Sequence, residues 1–594
     1  MKLCVLALDY DGTIAIDGVM DPGVREAIKE ARNLGITCVL VTGRILGDLQ
    51  RLVPDLDIFE SVVAENGAVV AFPAKGYSAT VGQPPPPSFF RELSLRGIPF
   101  TNGESVVETD AGLAWQVLTV IRDLELPLSL LFNRGRLMVL PQAVSKATGL
   151  RYAMRTLRLS EHNAIAIGDA ENDHQLLRTC EIGVAVSWGS EALKDMADNV
   201  LQGQGPPAVA DFIRKVSQKP RMSPRQARHR RLLLGTGENG QAVSLAIQGR
   251  NILINGDSQS GKSWVAGLLC EQLILHHYSM CIIDAEGDYA SLAALPGVVV
   301  LGGDDPPPTA RDIARTLRYA DVSVVLDLSK LGLKEKYDYV RSVLPVLLNI
   351  RREMGIPHRI LIDEAHYFLQ APDSAALLDR ELGGYIMVSY QALLIDAGVL
   401  SMAEAVIVTR ESSAEEIRVL RSLQPGHASE AEWQFVLGNL NMDEAALLPG
   451  VEEACDRLCK FKVTPRLTSH VRHRNKYIDM PLPEKLAFVF VSNGARVGKP
   501  AGTMKDFLAT LSAVSGDVLA GHVRRNDFSR WIRDVFRDGS LADIVHGLET
   551  QYAAGAGEDI SEFRQALIST IERRYRPGEP IRPTFSSPLA EGSV

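Results

Sequence analysis

Short apolar runs separated by longer stretches with apolar residues every three or four positions mark most of this chain. The first set of runs falls at residues 3–8, 37–41, 61–64, 164–167 and 183–186. Runs of this length alternating with amphipathic helical segments predict α/β units built on a parallel sheet. Between residues 71 and 141 the alternation weakens around the run Pro84-Pro85-Pro86-Pro87, as expected of an inserted α+β subdomain. A second α/β set follows, with strands predicted at 251–254, 280–283, 298–301, 322–326, 359–362, 384–388 and 405–408. Past Pro500 the period becomes helical, over 504–514, 528–537, 541–552 and 559–575, before a Pro/Ser/Gly-rich tail.

At 594 residues the chain exceeds what one core supports. The pattern divides it into 1–215 with its insertion at 71–141, a linker at 216–231, an α/β domain at 232–480, a helical domain at 481–580 and a tail at 581–594. The net charge of −9 gives no sign of wholesale nucleic-acid binding. Its distribution is uneven: residues 212–237 contain no acid but eight Lys and Arg, which reads as a solvated linker or, alternatively, a phosphate-contacting stretch. No apolar run reaches the ~20 residues of a membrane span, and the start Met1-Lys2-Leu3-Cys4 lacks a signal peptide's layout. Seven cysteines without regular spacing point to reduced thiols and a cytoplasmic location; Cys455 and Cys459 have no second pair at zinc-site spacing.

Candidate chemistry sits where the apolar runs end. Asp9-Tyr10-Asp11-Gly12-Thr13 closes the first run: Asp9 is placed as a nucleophile toward phosphorus and Asp11 as general acid/base. Thr42, in Val41-Thr42-Gly43-Arg44, offers a hydroxyl to a phosphate oxygen, and Lys146 offers a cation for transition-state charge. Gly168-Asp169-Ala170-Glu171-Asn172-Asp173 supplies acids suited to Mg²⁺ beside Asp9. These parts, with Ala64-Glu65-Asn66-Gly67-Ala68, resemble the haloacid dehalogenase (HAD) superfamily over residues 1–215, and most nearly its subclass IIB sugar-phosphate phosphatases of Cof type. The resemblance implies a Rossmann-like domain with a cap and a Mg²⁺-dependent phosphatase acting through a phospho-aspartate on a small, sugar phosphate-like metabolite. It assigns nucleophile, acid/base, phosphate-binding Thr and Lys to Asp9, Asp11, Thr42 and Lys146, and metal binding to Asp9, Asp11, Asp169 and Asp173. The stretch Val186-Ser187-Trp188-Gly189 departs from the family's usual Met-Gly-Asn-Ala-like run.

A second phosphate-handling set follows the run 251–254. Gly256-Asp257-Ser258-Gln259-Ser260-Gly261-Lys262-Ser263 is a P-loop whose backbone amides wrap phosphates; Lys262 reaches the β/γ oxygens and Ser263 a Mg²⁺ ion. The apolar run 359–362 ends in Asp363 and Glu364, suited to Mg²⁺ through water and to orienting the attacking water, and Gln391 ends the next strand as a γ-phosphate sensor. Together with Asp284-Ala285-Glu286-Gly287-Asp288-Tyr289, these resemble the HerA/FtsK group of P-loop ATPases, including VirB4-like and DUF87 proteins, over about 232–480. The motif departs in Ala285 for Pro and Asp288 for Glu. The resemblance implies a RecA-like fold, ATP hydrolysis, a homo-oligomer in the form of a hexameric ring, and an arginine supplied by the neighbouring subunit, for which Arg410 is the candidate.

The basic cluster His470-Val471-Arg472-His473-Arg474-Asn475-Lys476-Tyr477 reads as a nucleic-acid grip, a solvated edge or a docking face. Trp531 and Phe536 read as core residues, and His522, Arg525 and Asp527 as a polar group without an assigned role. The chain therefore reads as a phosphatase joined to an ATPase that assembles it or moves nucleic acid. Two alternatives stay open: a nucleic-acid end-processing enzyme, against which the long interval from the P-loop to Asp363 speaks, and an ATP-gated scaffold that controls the phosphatase.

Overall fold

The computed structural model describes residues 1–133, 135–219, 221, 230–247, 250–423, 429–448, 458–468, 486–492, 494–536, 539–554 and 559–575. The basic cluster at 470–477 lies outside the described residues.

The first unit is an eight-stranded sheet in the order Asn199–Leu201, Ile182–Val186, Ala164–Gly168, Val5–Asp9, Thr37–Val41, Ser61–Ala64, Val69–Phe72 and Tyr77–Thr80. The first six strands are parallel, and both faces of the central strand are covered: Leu6 and Leu8 pack in one cluster, Val5 and Ala7 in another. Burial on both sides explains why these runs are apolar throughout. The last two strands form an antiparallel hairpin on the sheet's edge. The insertion therefore starts after residue 80, and not at 71 as the sequence pattern suggests: Pro73 and Gly76 make a turn between paired strands, not an exit from the domain. The cap is a four-stranded sheet, with Leu128–Asn133, Arg136–Pro141, Val107–Asp110 and Thr101–Asn102 in that order, backed by helices Pro87–Leu95 and Ala114–Asp123. Its own core includes Phe89, Leu93, Val117, Val120, Leu137 and Val139.

The second unit is an eleven-stranded sheet whose parallel part runs Ala405–Val408, Ile252–Asn255, Tyr385–Ser389, Arg359–Ile362, Met280–Asp284, Ser323–Asp327 and Val298–Gly302. One strand thus separates the P-loop strand from the one that precedes Asp363. Four antiparallel strands, Ala242–Ala246, Arg231–Gly237, Cys459–Val463 and Glu444–Leu447, extend the other edge. A helical third unit gathers Phe507, Leu519, Phe528, Trp531, Phe536 and Phe563 around Phe488 and Phe490. Its predicted helix over 528–537 is an α-helical turn Asp527–Trp531 running into a π-helical segment Ile532–Phe536.

The two sheets meet back to back, through the residues that precede their strands. Asn163 Nδ2 donates to the Gly355 carbonyl (3.2 Å) and its Oδ1 meets His358 Nε2 (3.1 Å). Lys2 Nζ donates to the Glu353 carbonyl (3.0 Å), and His162 stacks on Tyr278 with centroids 3.7 Å apart. Tyr278 Oη donates to Glu181 Oε2 (2.7 Å), which also receives His162 Nδ1 (3.1 Å). Arg230, read from sequence as part of a solvated linker, is instead drawn in: it donates to the carbonyls of Arg178 and Thr179 and pairs with Glu181. Arg221 likewise pairs with Glu404 (3.1 Å). Burial works against the Glu181 carboxylate, but His162 and Arg230 hold it below its ordinary range. Glu181→Ala removes the acceptor shared by Tyr278, His162 and Arg230, so it is expected to destabilise the chain by about 1–3 kcal/mol in urea unfolding. Because the strand starts face each other, the C-terminal strand ends point apart, separated by about two strand lengths, ~30 Å.

Candidate active sites

At the C-terminal end of the first sheet, Asp9 is buried on the central strand and Thr42 ends the neighbouring one. Lys146 opens the helix Lys146–Leu157, whose N-cap Ser145 and Thr148 form a capping box that fixes where the chain turns. The helix is pressed close to the sheet through Gly67, where φ is +100° and a Cβ would lie 1.9 Å from the Ser145 carbonyl oxygen. Lys146 Nζ consequently reaches Asp9 Oδ1 (2.6 Å) and Asp173 Oδ1 (2.7 Å). Burial disfavours the ammonium, yet the carboxylates of Asp173 and Asp9 outweigh it and raise its pKa. Asp173 Oδ2 accepts the backbone N–H groups of Asp169 (3.1 Å) and Ala170 (3.2 Å), which shapes the loop.

Asp9, Asp169 and Asp173 each offer a ligand oxygen, all within 4.8 Å of one another, and are the one such group among the described residues. Burial and the Asp173 carboxylate push the Asp9 carboxyl up from its ordinary range, and Asp9 Oδ2 meets no hydrogen-bond donor among the described residues. An acidic, oxygen-only donor set of this kind fits Mg²⁺. Asp11, which the sequence reading also placed on the metal, is outside this group. Arg44 holds its carboxylate at the cavity in a bidentate pair, Nε to Oδ2 and Nη2 to Oδ1 at 2.7 Å each.

The departure at Val186-Ser187-Trp188-Gly189 has a structural account. Trp188 Nε1 donates to the Gly12 carbonyl (2.7 Å), clamping the loop that carries Asp9 and Asp11. Trp188→Phe keeps the ring and loses this bond, so a roughly tenfold lower kcat and a stability loss of about 1 kcal/mol are expected in steady-state assays and denaturation. Glu65, at positive φ, reaches under the cap to accept Glu104 N (2.9 Å) and Ser105 N (2.8 Å). A cavity of about 320 Å³ lies between cap and core, lined by Asp9, Asp11, Thr42, Lys146 and Asp169 below and by Glu108, Arg136 and Met138 above. The sequence motifs gave no role to Arg44, Trp188, Glu65, Glu108 or Arg136.

In the second sheet, the P-loop leaves the strand Ile252–Asn255 and enters the helix Lys262–Leu275. Gly256 has φ +154°, and a Cβ there would sit 2.1 Å from Thr409 Oγ1. Lys262 Nζ donates to the Asp257 carbonyl (2.7 Å), and Ser260 Oγ meets Thr409 Oγ1 (2.5 Å). Ser263 Oγ donates to Asp288 Oδ2 (2.8 Å). Asp284 arranges that loop by accepting the N–H groups of Gly287 (2.7 Å), Asp288 (3.0 Å) and Tyr289 (2.9 Å), and burial pushes its carboxyl up to about 7. Tyr289 Oη reaches Asp363 Oδ1 (3.4 Å), so the motif on the second strand ties the P-loop to the Asp363 strand. Glu364 is buried in the left-handed region (φ 46°), with Oε2 3.6 Å from His366 Nδ1.

His366 Nδ1 is 3.2 Å from Ser389 Oγ, which accepts the Gln391 N–H (3.0 Å), so Glu364 and Gln391 share one polar junction. Tyr390 lies against His366 (centroids 4.4 Å apart), 6.0 Å from Lys262 Nζ, and belongs to the core of the helical unit. Arg410 Nε is 3.6 Å from Asp257 Oδ2, and its carbonyl accepts the Asp257 N–H (2.7 Å), which places Arg410 beside its own chain's P-loop. The group left without a role is structural: His522 Nε2 accepts the Val491 N–H (3.0 Å), while Nδ1 pairs with Asp527 Oδ2 (2.7 Å), itself held by Arg525 Nε (2.9 Å).

Residues 6–81 and 130–213 match the model of haloacid dehalogenase-like hydrolases, and residues 240–349 that of the central domain of helicase HerA. The gap in the first match spans most of the cap. A phosphoglycolate phosphatase of Methanopyrus kandleri is 28% identical over 227 residues, 36% of this chain and 96% of that protein. One of Methanosarcina acetivorans is 24% identical over 227 residues, 36% and 97% of the respective chains. A haloacid dehalogenase-like hydrolase structure from Bacteroides thetaiotaomicron superposes with TM-score 0.33 and 18% identity, covering 36% of this chain and all of its own. The chain thus joins an N-terminal domain that matches haloacid dehalogenase-like hydrolases, Rossmann-like and capped, to a domain that matches the centre of helicase HerA.

Proposed function

We propose that the first site is a Mg²⁺-dependent phosphomonoesterase working through a phospho-aspartate, and that the second hydrolyses ATP. The observation carrying the first reading is Lys146, buried between Asp9 and Asp173 beside Asp169. Asp9 attacks phosphorus; Thr42 and Lys146 hold the phosphoryl oxygens; Asp11 protonates the leaving oxygen and then takes the proton of the water that cleaves the acyl phosphate. Asp9, Asp169 and Asp173 would hold Mg²⁺, which screens charge between the two anions when bound. The substrate is a small phosphorylated metabolite. The sugar phosphate-like class suggested by the motifs and the phosphoglycolate of the relatives' names both suit a cavity of about 320 Å³.

In the second site, Gly256, Ser260, Gly261, Lys262 and Ser263 hold the triphosphate. Asp363 serves Mg²⁺ through water, Glu364 orients the attacking water, Gln391 senses the γ-phosphate, and Arg410 is the candidate arginine that completes a neighbouring subunit's site. The kinship of this half with HerA suggests a homo-oligomeric ring with nucleic acid as partner. An initial-rate screen of phosphoglycolate, sugar phosphates, nucleotides and end-phosphorylated oligonucleotides, with and without Mg²⁺, tests the first reading. Turnover of small esters that EDTA abolishes supports it, and cleavage of oligonucleotide ends alone contradicts it. ATP hydrolysis unmoved by any DNA or RNA would remove nucleic acid from the second.

A further inference from the structure

The roof of the phosphatase cavity comes from two paired cap strands, in register as Met138 opposite Glu108 and Val139 opposite Val107. Strand alternation decides what they present. Leu137 and Val139 go into the cap's own core, leaving Arg136, Met138 and Glu108 on the side that lines the cavity above Asp9 and Lys146. Met138 is anchored with Ala68 and Leu140, which fixes the strand against the core domain. Arg136 Nε is paired with Glu108, whose side chain is 19% exposed, while 59% of the Arg136 side chain stays exposed. The pair thus sets a cation among the residues that line a cavity of about 320 Å³, which has room for a phosphoryl group and a short chain beyond it.

We infer that Arg136 is the specificity residue of this site, that it reads a carboxylate at the far end of the phosphate ester, and that Glu108 positions it. This rests on the phosphatase reading and adds the substrate class, a short phosphorylated carboxylic acid. The planar guanidinium matches a carboxylate through two parallel N–H donors, a match neither a hydroxyl nor a methyl group offers. Glu108 fixes the guanidinium so that little side-chain freedom is lost on binding.

The test compares phosphoglycolate with 2-hydroxyethyl phosphate, in which a hydroxymethyl group replaces the carboxylate. The enzymes are the full-length wild type, Arg136→Met, Arg136→Lys and Glu108→Gln. Wild type is expected to favour phosphoglycolate in kcat/KM, and Arg136→Met to reduce that preference roughly 10- to 100-fold, mainly through KM. Arg136→Lys should restore part of it, and Glu108→Gln should lower it without abolishing it. An Arg136→Met loss equal for both esters overturns the inference, because it marks a merely structural role, as does a wild type without preference. If wild type cleaves neither ester but does cleave others in the screen, this inference fails alone. If it cleaves no ester, the phosphatase reading fails with it.

Discussion

Asp9→Asn is expected to abolish phosphatase turnover, with kcat lowered by about 10⁴-fold or more, the scale seen when a covalent nucleophile is removed. The amide has the shape of the carboxylate, so packing on the central strand is kept. It carries no charge for attack on phosphorus, and it weakens the pair with Lys146 Nζ now at 2.6 Å. The folded state should tolerate the change, since Lys146 keeps Asp173 at 2.7 Å. Initial-rate assays beside a circular-dichroism melt check both halves of the expectation. ATP hydrolysis by the same variant should equal wild type, because the two sites face away from each other across the interface of His162, Glu181 and Tyr278.

Glu364→Gln is the counterpart in the second site. It should lower ATP hydrolysis about 10²–10³-fold while nucleotide binding survives, because only the group that orients and deprotonates water is lost. Lys262→Ala should remove binding itself, since Lys262 Nζ is poised at the mouth of the loop on the Asp257 carbonyl. Fluorescent-nucleotide titration separates the two variants from one another. Phosphatase rates measured in Glu364→Gln with and without ATP also test the scaffold alternative. Rates that follow ATP binding in the absence of hydrolysis would favour it.

The parts of this molecule legible in its sequence are those where chemistry sits at strand ends. Asp9, Thr42 and Asp169 in one sheet and Asp363 and Gln391 in the other close or follow apolar runs buried on both faces, a strong local signal. The edge strands Arg231–Gly237, Ala242–Ala246, Glu444–Leu447 and Cys459–Val463 were not, because each buries only some of its residues and the runs are short. Helix Gly516–Arg524 was missed behind its glycines.

What sequence could not supply is pairing between distant residues. Arg230 looks solvated in a basic run, yet Glu181 lies opposite it in space. Arg44 reads as a motif residue until it is seen holding Asp11. Arg136 and Glu108 belong to no motif, and only strand register brings them together over the site. The contact of Arg410 with Asp257 of the P-loop is another such pairing, with Nε 3.6 Å from Oδ2.

The most direct test of the account is to trap the phosphoenzyme. Asp11→Asn lacks the base for the second step, and p-nitrophenyl phosphate needs no acid for the first. Acid quenching of that mixture followed by peptide mass spectrometry should place a phosphoryl group on Asp9 and nowhere in the P-loop half. Burst release of nitrophenol with an unmodified Asp9 peptide, or an adduct on another residue, would contradict it.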